Sequence, residues 1–149
     1  MDVLIVGAGV VGCAVARELS RYALDVAVLE REEDVGAGTS KANSAIIHAG
    51  YDPMPGTDMA KMNLEGSAMA EGICRRLDVP YERVGSLVLA FDDTDLRCLQ
   101  TLLERGQING VEGLKLLSGE EARAMEPNVS GQVQGALWAP TAAIINPWD

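Results

Sequence analysis

The stretch that decides the fold is Asp2-Val-Leu-Ile-Val-Gly-Ala-Gly-Val-Val-Gly12, near the start of the chain. Its first part, from Asp2 to Val6, is a continuous apolar run typical of a strand buried on both faces of a parallel sheet. The segment from Cys13 to Tyr22 has the apolar periodicity of a helix, and a second apolar strand follows from Asp25 to Glu30. Strand, glycine turn, helix and strand in about 30 residues predict a βαβ unit.

Three glycines in this stretch have the spacing G-x-G-x-x-G. Gly7 lets the chain turn sharply out of the strand, and Gly9 lets the backbone approach a pyrophosphate. Gly12 lets the helix pack against the sheet. The backbone N–H groups of Val10 and Val11 are then expected to point at phosphate groups, since the helix dipole favours negative charge there.

An acidic residue, Glu30, ends the second strand about 20 residues after the glycines, as a dinucleotide site requires. Its carboxylate can accept hydrogen bonds from the 2′- and 3′-hydroxyls of a ribose, and it would repel the 2′-phosphate of NADP. A glycine turn beside a solvated surface glutamate is the alternative interpretation. The context of strand, turn, helix and acid favours the nucleotide site.

A second polar loop, from Gly36 to Ser44, follows the ribose acid. Side chains of Thr39, Ser40 and Asn43 can supply neutral contacts along a diphosphate and a ribityl chain. An NAD-binding domain usually enters its next helix at this point, so the loop favours FAD, although both cofactors contain ADP. A polar connecting loop without a ligand remains the alternative.

The remainder of the chain alternates helices and strands without another glycine fingerprint. The pattern predicts a helix capped by Thr57, a strand at Val84–Phe91, a helix capped by Thr94, a short helix with a Ser118–Glu121 capping box, and strands at Gln132–Trp138 and Ala142–Ile145.

The helix after Thr57 carries methionines at three- and four-residue spacing, which predicts that they face the core. Lys61 and Asn63 of the same helix are expected on its solvated face. The architecture therefore changes near residue 52, from a parallel βαβ core to an α+β region.

Composition excludes several classes of partner and site. The 149 residues carry a net charge of −10, which repels nucleic acid and anionic membrane surfaces. Cys13, Cys74 and Cys98 form no close pair, which indicates reduced thiols in a cytoplasmic protein, and with one histidine no metal site is expected. The apolar run from Val3 to Ala16 is too short for a transmembrane segment.

The βαβ stretch, together with Gly38-Thr-Ser-Lys-Ala-Asn-Ser-Ala-Ile-Ile-His-Ala-Gly50, resembles the FAD-dependent D-amino-acid-oxidase superfamily. The segment Ile47-His-Ala-Gly-Tyr51 is most similar to the branch that holds L-2-hydroxyglutarate oxidase and FAD-dependent glycerol-3-phosphate dehydrogenase. The resemblance covers the whole chain and is more specific for the superfamily than for the substrate. It implies oxidation of a small hydroxy acid or glycerol 3-phosphate, with hydride transfer to FAD.

The resemblance also implies roles for matched positions. These are the diphosphate turn (Gly7, Gly9, Val10, Val11, Gly12), the adenosine contacts (Glu30, Arg31), the diphosphate and ribityl loop (Thr39, Ser40, Asn43, Ser44), and a histidine beside the flavin ring (His48). His48 is thus a candidate proton-transfer residue, or else a structural histidine bonded to a backbone carbonyl. Tyr51 either borders the substrate pocket or packs in the core.

The predicted fold class is α/β: a Rossmann-like βαβ unit, being part of a doubly wound sheet, followed by part of an α+β substrate domain. The expected domains are residues 1–52 for FAD, 53–143 for the start of the substrate domain, and 144–149 as a return segment. Because a doubly wound domain needs two βαβ halves, the chain is expected to be an inactive N-terminal portion. An exposed sheet edge then favours oligomerisation. A non-catalytic nucleotide-binding fragment and an NAD-dependent dehydrogenase are the alternatives.

Overall fold

The computed structural model describes residues 1–147, and contacts divide them into two compact units, residues 1–44 and 45–147. The elements in chain order are β1 (Val3–Val6), α1 (Val10–Leu19), β2 (Val26–Leu29), β3 (Ile46–Ile47), α2 (Asp58–Leu77), β4 (Tyr81–Glu82), β5 (Ser86–Ala90), α3 (Asp93–Asn109), β6 (Lys115–Ser118), α4 (Gly119–Met125), β7 (Gly135–Ala139) and β8 (Ala143–Ile145).

The first unit is the predicted βαβ crossover. Strands β1 and β2 pair in parallel, with Val3 opposite Val26 and Val6 opposite Leu29, and α1 connects them. The helix begins at Val10, three residues before the predicted start, because the extended backbone of Gly9 serves directly as its N-cap. The turn between β1 and α1 is therefore only Gly7, Ala8 and Gly9, and the rest of the glycine motif lies in α1.

The second unit holds two antiparallel sheets, with strand orders β3-β8-β4 and β5-β7-β6. Strand β7 is the centre of the second sheet, and its Leu137 has no exposed surface. Leu137 packs in one core cluster with Ala90 of β5 and Leu99 of α3. The sequence predicts a mixed α/β protein with an α+β second region, and the structure agrees with that class.

Strands β5, β7 and β8 overlap the predicted strands, but β3, β4 and β6 were not predicted. Strands β3 and β4 have two residues each and exist because both pair with β8, far away in the sequence. A segment that short carries no periodicity of its own. The return segment predicted at 144–149 begins inside β8, and Trp148 and Asp149 lie outside the described residues.

Two of the three predicted helix caps are confirmed. Ser118 and Glu121 form a reciprocal capping box at the start of α4, and Thr57 accepts a hydrogen bond from the backbone N–H of Ala60. The predicted Thr94 cap is wrong. Asp92 caps α3 instead, because its carboxylate accepts the N–H groups of Thr94 and Asp95 at 2.8 and 2.9 Å.

The prediction that the α2 methionines face the core is also wrong. Met59, Met62 and Met69 are 70%, 57% and 56% exposed. The helix instead buries a neighbouring face of small residues, Ala60, Ala70 and Cys74. Two apolar stripes run side by side along α2, and within the described residues only the one with small side chains is covered.

The division between the compact units falls after Ser44, whereas the sequence indicates a change of architecture near residue 52. The assignment of residues 1–52 and 53–143 to a FAD-binding half and a substrate domain stays a prediction. Across residues 1–147, the structure contains no helix with the length and apolarity needed to cross a bilayer.

Candidate functional site

The glycine turn has the geometry that its spacing predicts. Gly7 has a φ of +99°, a conformation that glycine adopts without strain, and its N–H donates to the carbonyl oxygen of Leu29 at 2.7 Å. A Cβ on Gly12 would collide with the carbonyl oxygen of Gly7 and lie 3.4 Å from the Cγ2 of Ile5. Gly12 thus allows α1 to pack directly against the turn and β1.

The polar loop after β2 folds back onto this turn. The N–H of Val10 donates to the Oγ of Ser40 at 2.8 Å, although the two residues are 30 positions apart. A Cβ on Gly9 would lie 3.1 Å from the same oxygen, and the N–H of Gly36 donates to the carbonyl oxygen of Ala8 at 2.9 Å. The two segments that the sequence predicts along a diphosphate therefore meet at the N-terminus of α1.

The first turn of α1 is open to an anion. It contains no acidic residue, and Gly9 has no side chain to cap it. Val10 and Val11 are 68% and 74% exposed. The positive end of the helix dipole is therefore accessible to a negatively charged ligand. The Val10 N–H is already engaged by Ser40, which differs from the expectation that it points freely at a phosphate.

Glu30 is fixed at the end of β2 by three backbone N–H groups. Its Oε2 accepts the N–H of Ala8 at 2.7 Å, and its Oε1 accepts those of Arg31 and Glu32 at 2.8 and 3.0 Å. The N–H groups of Glu32, Ala8 and Arg31, in that order of effect, lower the pKa of the Glu30 carboxyl below its usual value. The group is held as a carboxylate directly beside the glycine turn.

The other predicted cofactor residues of the first unit are exposed and lie outside the Ser40–Val10 hydrogen bond that joins the loop to the glycine turn. Arg31 is exposed, and its guanidinium pairs with Glu32 at 2.8 Å. The Nδ2 of Asn43 donates to the carbonyl oxygen of Ser40 at 2.6 Å, which fixes the loop. Thr39 and Ser44 are exposed.

His48 belongs to the second unit, where it is exposed and lines an open cleft of about 220 Å³. The other residues that line the cleft are Gly50, Tyr51, Asp52, Pro53, Met59 and Asn63. Tyr51 is half-buried and also packs against the core, so it is both a core and a rim residue. The cleft places His48 where a small molecule can reach it.

Two residues of this region were missed from the sequence. Asn63 is half-buried and lines the cleft, contrary to the expectation of a solvated face. Its position three residues after Ala60 and seven before Ala70 places it on the buried face of α2, and this spacing is the signal that could have found it. Asn109 contacts the cleft loop from the end of α3, and no local pattern predicts that contact.

A comparison with protein families covers every residue named above. The model of one family, described as DAO, FAD dependent oxidoreductase, matches residues 2–149. The chain belongs to this family. The superfamily resemblance in the glycine turn and the following loop is thereby confirmed, and this family of oxidoreductases is FAD-dependent.

Curated relatives of this DAO-family chain include glycerol 3-phosphate dehydrogenase, glycerol 3-phosphate oxidase and L-2-hydroxyglutarate dehydrogenase. A glycerol 3-phosphate dehydrogenase from Caloramator mitchellensis is 56% identical over 148 residues, which are 99% of this chain and 31% of that protein. A mitochondrial L-2-hydroxyglutarate dehydrogenase from Arabidopsis thaliana is 35% identical, over 98% of this chain and 30% of that protein. The DAO-family chain thus spans about a third of the length of these relatives.

This DAO-family chain is also similar to a solved structure of a related enzyme. The dithionite-reduced L-alpha-glycerophosphate oxidase from Mycoplasma pneumoniae, with FAD bound, matches this DAO-family chain with a TM-score of 0.90 and 36% identity. The match covers 98% of this chain and 39% of the oxidase. The fold described above is therefore similar to that of the matching part of this FAD-bound oxidase.

Proposed function

We propose that the first unit holds the ADP part of FAD, with the diphosphate at the N-terminus of α1. The observation that carries this proposal is the contact of Ser40 with the Val10 N–H, because it joins the glycine turn to the second polar loop. The Ser40 hydroxyl accepts that N–H and retains its own O–H as a donor. It can therefore donate to a phosphate oxygen while it fixes the helix start.

The glycine turn fits a diphosphate on structural grounds. Gly9 faces the Ser40 hydroxyl, and a side chain at that position would fill the space between the two segments. Gly7 and Gly12 make the tight turn possible, and Val11 contributes a backbone N–H group at the exposed first turn. The Val10 N–H is held by the Ser40 hydroxyl. Main-chain donors at a helix N-terminus are a common way to bind phosphate.

Glu30 and Arg31 are proposed to contact the adenosine. A carboxylate can accept about four hydrogen bonds, and three are used by the backbone N–H groups of Ala8, Arg31 and Glu32. The remaining capacity suits a ribose hydroxyl. Glu30 is a carboxylate at neutral pH, and its lowered pKa extends this form to more acidic pH. Its negative charge disfavours the 2′-phosphate of NADP.

Thr39, Asn43 and Ser44 are proposed to follow the diphosphate and the ribityl chain, because they share the loop that Ser40 holds in place. His48 is proposed beside the flavin ring on the strength of the superfamily resemblance. The proposed FAD contacts therefore run from Glu30 through Ser40 to the end of this loop.

For the whole protein we propose oxidation of a small hydroxy acid or glycerol 3-phosphate. FAD supplies the hydride acceptor for this chemistry. His48 contributes an imidazole that accepts the proton of the substrate hydroxyl, and its exposure in the cleft gives the substrate access. The names of the relatives support these two substrate classes.

The free thiols of Cys13, Cys74 and Cys98 support a reducing compartment, and we propose the cytoplasm. The apolar residues exposed at the β1–β2 sheet support the prediction of self-association.

The cofactor assignment is tested by equilibrium dialysis of the chain against FAD, NAD and NADP. We expect FAD to bind with the highest affinity and Ser40→Ala to weaken it about tenfold, the value of one lost hydrogen bond to a charged group. Ser20→Ala, at the opposite end of α1, is the matched control and should leave the affinity unchanged. Preference for NAD over FAD would favour an NAD-dependent dehydrogenase and contradict the proposal.

A further inference from the structure

The cleft around His48 includes a loop that is hydrogen-bonded to α3. The Nδ2 of Asn109 donates to the carbonyl oxygens of Gly50 and Pro53, at 3.0 and 2.9 Å. A Cβ on Gly106 would lie 2.9 Å from the Cβ of Tyr51, so α3 also touches the loop directly. The loop is therefore held against the C-terminal part of α3.

Asn63 of α2 lies against this loop with an unpaired buried oxygen. Its Oδ1 has no access to solvent and no hydrogen-bond partner within the described residues. The same oxygen would lie 3.1 Å from a Cβ on Gly50, which shows how closely α2 approaches the loop. Buried polar atoms are nearly always paired, so an unpaired one beside a cleft marks a group whose partner is supplied from outside.

The carboxamide of Asn63 has a second polar end, and Asn63 lines the cleft. A half-turn of the terminal torsion exchanges the oxygen and the nitrogen, and both arrangements have almost the same shape. The Oδ1 lies beside Gly50, and both residues line the cleft. The side chain can therefore offer the cleft a donor or an acceptor.

The charges in the cleft indicate which ligand group fits. Asp52 contributes a carboxylate to the lining, and the polar side chains beside it are those of His48, Tyr51 and Asn63. A phosphate or carboxylate group is disfavoured next to Asp52, whereas a neutral hydroxyl is not. A hydroxyl both donates and accepts, so it matches a carboxamide and an imidazole that line the same cleft.

We propose that Asn63 is a substrate-binding residue that hydrogen-bonds the reacting hydroxyl of the substrate and holds it toward His48. The proposal rests on the proposed function, since it takes the small hydroxy acid or glycerol 3-phosphate as the ligand. It adds a residue that orients the hydroxyl, while the anionic end of the substrate is bound away from Asp52.

The test is an NMR titration of the labelled chain with glycerol 3-phosphate and with L-2-hydroxyglutarate. We expect saturable shifts of the His48 ring and the Asn63 side-chain amide with a hydroxyl ligand. Glutarate, which lacks the hydroxyl, should bind about tenfold or more weakly, because the carboxamide then loses its partner. Asn63→Leu should weaken the hydroxyl ligand by the same factor and abolish its advantage over glutarate.

Asn63→Asp, which has nearly the same shape, is the second variant in case the leucine perturbs folding. The matched control is Asn128→Leu at an exposed asparagine distant in the sequence, which should leave all affinities unchanged. Absence of saturable shifts at His48 and Asn63, or equal binding of glutarate and L-2-hydroxyglutarate, overturns the proposal. Failure of the FAD dialysis experiment would be a separate result, because it reports on the first unit alone.

Discussion

Glu30 shows what a single residue contributes to both fold and site. Its acid type and its position after β2 could be predicted from the sequence, because a ribose needs an acceptor there. The bond to the Ala8 N–H could not, because it depends on how the turn after β1 packs beside the end of β2. The carboxylate thus stabilises the glycine turn and can also accept a hydrogen bond from a ribose hydroxyl.

This arrangement predicts a pH-dependent stability. The folded-state pKa of Glu30 is lowered, so its stabilisation is fully present above the ordinary glutamate value of about 4.3 and is lost as the pH falls through the lower folded value. Glu30→Gln should reduce Tm at pH 7, because an amide N–H₂ replaces one acceptor. The difference from the natural chain should shrink as the pH falls below about 4.

Thermal unfolding of both proteins between pH 7 and pH 3 measures this effect. Glu33→Gln is the control, since it makes the same charge change at an exposed position three residues away. A Tm difference for Glu30→Gln that stays constant across this range would contradict the role of the carboxylate.

At the scale of elements, the sequence predicted a helix cap correctly where the hydrogen-bonded residues are close in sequence. The Ser118–Glu121 box was predicted because both of its hydrogen bonds span three residues. The Thr94 cap was wrong because Asp92 lies two residues earlier and is an equally good N-cap type. The carboxylate of Asp95 also accepts the backbone N–H of Phe91 at 2.9 Å, which stabilises the start of α3 at Asp93.

Helix α2 shows the limit of periodicity. The methionine stripe at Met59, Met62 and Met69 and the small-residue stripe at Ala60, Ala70 and Cys74 both repeat with helical spacing. Periodicity identifies a helix and its apolar sides, but it does not say which side meets a neighbour. For the same reason the sequence did not predict that Asn63 lies on the buried face of α2, with Ala60 and Ala70.

The link between α3 and the cleft loop predicts a measurable loss of stability. Asn109→Ala leaves the carbonyl oxygens of Gly50 and Pro53 without their donor, and Gly50 is buried. We expect the free energy of unfolding to fall by about 1–3 kcal/mol, the usual cost of unpaired buried groups. Denaturation in urea measures the change.

The control for this experiment is Asn128→Ala, at an exposed asparagine whose Nδ2 donates to the Oε1 of the nearby Glu126. It should change the unfolding free energy by less than about 0.5 kcal/mol. Equal effects of the two variants would show that Asn109 does not hold the loop.

At the scale of the whole molecule, the sequence predicted the βαβ unit and the family, while the antiparallel pairing of the second unit came only from the structure. The first unit exposes apolar residues of its two strands, including Val6 at 79% and Leu29 at 57%. The chain also spans about a third of the length of its curated relatives. Oligomerisation through this sheet stays a prediction.

The central claim is that the glycine turn and the Ser40 loop together form the ADP site of FAD. The most direct measurement is a titration of the ¹⁵N-labelled chain with ADP, with assignment of the amide shifts. The account predicts saturable shifts concentrated in residues 7–12, 30–32 and 36–44, and their loss in Gly9→Val, whose side chain would crowd Ser40. No saturable shifts, or shifts that persist in Gly9→Val, would contradict it.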